Sequence, residues 1–79
     1  MIVHATFNRD GSTFSNVTFF AKKISEIGIA EWEFLLTMAK AFPDCVLCIN
    51  DNGKSIVYQG GAMVAFVELM LRDETERKN

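Results

Sequence analysis

The sequence predicts an α+β fold, a ββαββα chain whose four strands make one antiparallel sheet with two helices packed on one face. Three observations predict it: two stretches of alternating polarity that each fold back on a glycine-containing turn, an apolar stripe of helical spacing between them, and a second apolar stretch after a Gly-Gly break. A single domain spanning 1–79 follows from the length, and at 49% hydrophobic residues the chain has enough apolar surface for a core.

The first strand is expected over 2–8, where Ile2, Val3 and Phe7 stand among His4, Thr6 and Asn8. Arg9-Asp10-Gly11-Ser12 has turn composition, with Gly11 supplying a positive φ. A second strand over 13–21 alternates, so that Ser15, Val17, Phe19 and Ala21 share one face and Phe14, Asn16, Thr18 and Phe20 the other.

The period then changes. Trp32, Leu35, Leu36, Ala39 and Phe42 fall on one helical stripe, which places helix one over 29–42. Gly28 reads as its N-cap, with Glu31 at the third helical position and Ile27 and Trp32 at the two positions of a hydrophobic staple. Pro43 ends it, because proline has no N–H for the ladder and disfavours helical geometry at Phe42.

Asn52-Gly53 at the centre of a two-residue loop sets the second hairpin, strands 45–50 and 55–59. That register pairs Asp51 with Lys54, Ile49 with Ile56, Cys48 with Val57 and Leu47 with Tyr58. Cys45, Leu47, Ile49, Ile56 and Tyr58 then share the core face, while Val46, Cys48, Asn50, Ser55, Val57 and Gln59 share the other. After Gly60-Gly61 comes helix two, over 62–78. Its first part is apolar around most of its circumference, through Met63, Val64, Phe66, Val67, Leu69, Met70 and Leu71. One sheet covers only one side of a helix, so helix one is expected to cover another flank, the alternative being a second copy of the chain. Its charged end, 73–79, is expected to fray, with Asp73–Arg77 and Glu74–Lys78 at i,i+4 spacing.

The chemistry such a chain can support is narrow. Cys45-x-x-Cys48 has the spacing of redox and zinc sites. Inside a strand, however, a separation of three sends the side chains to opposite faces, about 10 Å apart at the strand rise, beyond the ~7 Å limit for a bridge. Zinc would need two more ligands, and His4 is the only histidine. Cys45 therefore reads as core and Cys48 as a thiol on the open face, able to cross-link two copies under oxidation. Gly60-Gly61 lacks the Gly-Lys-Ser/Thr of a phosphate loop and reads as a turn. Ser12, Ser15, Ser25 and Ser55 lack the context of a catalytic nucleophile. The expectation is a chain that is not an enzyme and uses neither cofactor nor metal.

A formal charge of −2 argues against a nonspecific grip on a phosphate backbone. Phe14 and Phe20, alternating with Asn16 and Thr18, have the pattern of a base-stacking platform but no interleaved Arg or Lys, so a core or interface role is expected and direct nucleic-acid binding is not. The longest apolar run, 62–67, is far short of the ~20 residues that span a bilayer, and the first ten residues lack the pattern of a secretion signal. The chain reads as cytoplasmic, with no membrane partner.

A protein partner is what remains. Glu26, Glu31 and Glu33 cluster at the start of helix one, where the helix dipole favours them and a basic partner would find them. Val46, Cys48 and Val57 on the open sheet face, or Leu69 on helix two, supply apolar contact, and a homodimer is the simplest case. A short acidic ββαββα chain without an active site is similar in format to the small inhibitor proteins of phages and mobile elements, anti-CRISPR proteins among them; the similarity is one of size and composition. It implies an inhibitor of a nucleic-acid-handling complex. The alternative expectation is a ligand-binding or regulatory domain with an apolar pocket between sheet and helices, lined by Met38, Met63 and Met70.

Overall fold

The computed structural model describes residues 3–19 and 23–77, with 13–19 described by backbone alone. The fold is α+β. In chain order the elements are β1 (Val3–Arg9), β2 (Ser12–Phe19), a 3-10 turn (Ile24–Glu26), α1 (Ile29–Ala41), β3 (Val46–Asp51), β4 (Lys54–Gln59) and α2 (Gly61–Arg77). The strands form one antiparallel sheet in the order β2-β1-β3-β4. The first strand of each hairpin therefore lies in the middle of the sheet and the second at an edge.

Both hairpins close on the same kind of turn. Asp10 and Gly11 have φ of 52° and 79°, and Asn52 and Gly53 have φ of 54° and 88°. Positive φ at both central residues is the two-residue turn whose twist matches that of the flanking strands. In the second hairpin the pairing is regular from Asp51↔Lys54 to Val46↔Gln59. In the first, the register shifts between Phe7↔Ser15 and Asn8↔Thr13, so Phe14 is the extra residue of a bulge. The unbroken alternation expected over 13–21 is thus interrupted, and the parity of β2 changes at that point. Phe20, Ala21 and the side chain of Phe14 fall outside the described residues.

Helix α1 starts where its residues dictate. Gly28 is the N-cap in extended geometry, and Ile27 and Trp32 are both buried as a staple requires. Pro43 ends the helix one residue before the expected limit: Phe42 leaves helical geometry at φ −129°, while its N–H still donates to Met38 O at 2.9 Å.

The core is formed by Val3, Ala5 and Phe7 of β1, Leu47 and Ile49 of β3, Trp32, Leu35 and Ala39 of α1, and Met63 and Val67 of α2, with Ile27 and Cys45 completing it. One sheet face supplies all the strand members, so both helices lie over that face. Full burial of each large side chain contributes roughly 1.5–3 kcal/mol. Phe66 locks α2 down: its ring stacks on Tyr58 at 4.0 Å between centroids and meets Trp32 edge-on at 5.9 Å.

Two features of α2 set what it exposes. Its surplus apolar surface is largely taken up, because α1 packs along its flank and leaves Val64, Phe66, Met70 and Leu71 half-buried. Only Leu69, 56% exposed, stands out as a large apolar side chain on that helix. Helix α2 continues through most of the charged end, to Arg77. Glu74 continues the inward stripe of Met63, Val67 and Met70 and is buried, with the Arg77 guanidinium paired to it; the expected Glu74–Lys78 pair lies outside the described residues. The same guanidinium donates to Ser25 O at 3.2 Å, which replaces the expected Asp73–Arg77 pairing and ties the end of α2 to the 3-10 turn.

Candidate functional site: the open sheet face

With the helices on one side, the other side of the sheet is uncovered by any described element. The strand registers arrange it as three rows. His4, Asn50 and Ser55 stand abreast, then Thr6, Cys48 and Val57, then Asn8, Val46 and Gln59. In β2 the ladder continues the rows at Thr18, Asn16 and Thr13. None of these positions carries Asp, Glu, Lys or Arg, in a chain that is 23% charged. A face that merely met water would be expected to carry several charges.

The face is small-grained and nearly flat in chemistry. Val46 and Cys48 are half-buried by their strand neighbours, whereas Val57 is 57% exposed on the edge strand. Asn8 Nδ2 donates to Thr6 Oγ1 at 3.2 Å, which holds the two polar side chains of β1 side by side. His4 is exposed on a central strand. The imidazole of His4 is the one aromatic ring of β1, β3 and β4 in the rows, and no Lys or Arg accompanies it to grip a phosphate backbone.

The sequence brought Val46, Cys48 and Val57 together, and they do share this face. It could not bring in His4, Thr6 and Asn8, because only the strand order β1-β3 makes them neighbours of the second hairpin. Ile56 was placed on the core side, and its parity is correct, but it remains 37% exposed. The reason is position: β4 is the edge, and α2 reaches it chiefly through Phe66 on Tyr58.

The remaining candidates lie elsewhere. Cys45 is buried and Cys48 half-buried, both as free thiols. Among the described residues no group of three or more His, Cys, Asp and Glu is placed to hold a metal ion, and no helix is long and apolar enough to cross a membrane. Glu26, Glu31 and Glu33 are all exposed on the helix layer, away from the open face. Glu31 folds back over the helix start, its Oε2 2.7 Å from where a Cβ on Gly28 would sit, which favours glycine at that position. Leu69 borders a shallow surface hollow with Arg72, Asp73 and Glu76. A groove of about 360 Å³ runs between Leu36, Glu68, Leu71 and Arg72 on the outside of the helix pair. Met63 is fully buried in the core, and Met38 and Met70 are half-buried against that core.

Arg9 fastens the opposite end of the molecule. Its Nε lies 2.9 Å from Asp44 Oδ2 and its Nη2 donates to Asp44 Oδ1 at 3.2 Å, with the guanidinium over the Phe42 ring. That two-pronged pair joins the end of β1 to the loop before β3 and reads as structural.

Compared with known protein families, with curated proteins and with solved structures, the chain matches none of them.

Proposed function

We propose that the chain is a noncatalytic protein-interaction module whose contact surface is the open sheet face. The observation that carries this reading is the absence of Asp, Glu, Lys and Arg from three successive rows of an uncovered sheet. Depletion of charge is the compositional mark of the centre of a protein–protein interface. Small hydroxyl and amide side chains around Val46, Cys48 and Val57 give such a surface hydrogen-bonding capacity without the desolvation cost of an ion. A partner with a basic surface fits the rest of the molecule. Glu26, Glu31 and Glu33 are exposed and the net charge is −2, which favours approach to a positive protein. A component of a nucleic-acid-handling complex, inhibited by occupation of its basic surface, is the partner class this charge favours.

The test uses the full chain as bait in cell extract, beside Thr6→Lys and the triple exchange of Glu26, Glu31 and Glu33 to Gln. A partner retained by the wild type, lost with Thr6→Lys and only made more salt-sensitive or weaker by the triple exchange supports the reading. Retention of the same protein by Thr6→Lys at wild-type level rules out the open face as the contact surface.

A further inference from the structure

We infer that β4 is a self-pairing edge: two copies of the chain join β4 to β4 antiparallel about a two-fold axis at Val57, giving one continuous sheet. The two-residue loop makes Asp51 and Lys54 the pair that exchanges both backbone bonds. Pairs then alternate along the hairpin, so Lys54, Ile56 and Tyr58 bond inward to β3 while Ser55, Val57 and Gln59 turn their N–H and C=O groups outward. Antiparallel pairing about Val57 sets Val57 against Val57 of the second copy, and Ser55 against Gln59 on either side. Every outward group in that stretch then finds a donor or acceptor.

The side chains agree with this register. Ile56, 37% exposed, comes opposite Tyr58 of the second copy on the helix side, and Val57, 57% exposed, meets its own copy on the open face. No charged residue lies between Ser55 and Gln59, and Lys54 falls opposite Gly60, so two chains of net charge −2 meet along a neutral strip. Every residue of β4 except Tyr58 is exposed, so nothing described lies across the edge.

The contrast with the other edge supports a second copy. β2 is broken by the bulge at Phe14, a device that turns an edge away from further pairing. β4 has no bulge, no proline and no charge within the strip. A strip about 20 Å long covers less than the ~1,600 Å² of a standard interface, so the dimer is a concentration-dependent one. This inference rests on the edge and not on the open face, which it would double in width.

Sedimentation equilibrium from micromolar to millimolar chain tests it, with circular dichroism as the check on folding. The wild type is expected to associate to a dimer. Val57→Lys and Val57→Glu, each of which faces its own copy, should each weaken association at least about tenfold, and an equimolar mixture of the two should restore it as a heterodimer. Val57→Pro removes an outward N–H and spares the ladder to β3, so that variant should remain folded and monomeric. A wild type that is monomeric throughout, a mixture no tighter than either charged variant alone, or a Val57→Pro chain that pairs like the wild type overturns the inference. A monomeric wild type that still captures a partner through Thr6 leaves the open-face reading standing.

Discussion

The two hairpins are closed by the same turn and end as different objects. In both, an Asx-Gly pair at positive φ brings the strands together. The second runs on in perfect register and is followed, after Gly60 alone, by α2, which folds straight back and stacks Phe66 on Tyr58. The first slips by one residue at Phe14, and nine residues, 20–28, separate it from α1. A turn thus fixes only the pairs next to it. What lies beyond decides whether a strand stays straight and pairable or is bent out of use as an edge.

The largest effect that sharpens the comparison is expected in the central strands. Phe7→Ala should cost about 3–5 kcal/mol and Leu47→Ala about 2–5 kcal/mol in urea unfolding. Those values are comparable to the roughly 3–5 kcal/mol that a core of this size supplies. Both residues are fully buried at facing positions in the ladder. Ile56→Ala, on the exposed edge, should cost under about 1 kcal/mol; a loss as large as that of Phe7→Ala would break the distinction between centre and edge.

Smaller losses are expected at the turns. Gly11→Ala and Gly53→Ala should each lose about 1–2 kcal/mol, the cost of a Cβ in left-handed geometry. The losses should be alike, because neither position has an atom within 4 Å of the added methyl. Clearly unequal values would show that the bulged hairpin tolerates a distorted turn better than the regular one. Glu74→Ala should lose under about 1 kcal/mol, because the Arg77 guanidinium it leaves is half exposed and is taken up by water, read from the same unfolding curves. The subtlest readout is chemical. A maleimide should label Cys48 in the native protein and reach Cys45 only on unfolding, as mass spectrometry of the digested chain would show.

Much of this arrangement was legible in the residues. Asn52-Gly53 dictated the second hairpin pair by pair, and Gly28, the Ile27–Trp32 staple and Pro43 bounded α1. These signals are local, and local chemistry is what a sequence states most directly. The bulge was not legible, because alternation across 13–21 reads equally well with one residue looped out. Nor was the burial of Glu74: a run of charged residues suggests solvent, and only the packing of α2 against the 3-10 turn shows the carboxylate facing inward. For the candidate site, Val46, Cys48 and Val57 were visible as one side of a hairpin. The rows to which they belong required knowing that β1 and not β2 lies beside β3.

The joint at Phe66 gives the molecule a built-in optical gauge. Trp32 and Tyr58 are the chain's sole indole and sole phenol, and both touch the same phenyl ring. Emission from a tryptophan only 1% exposed is blue, and lifting the last helix away would move it to the red while freeing the tyrosine at the same moment. Detachment of that helix can therefore be followed by light alone, with no label and no change to the chain.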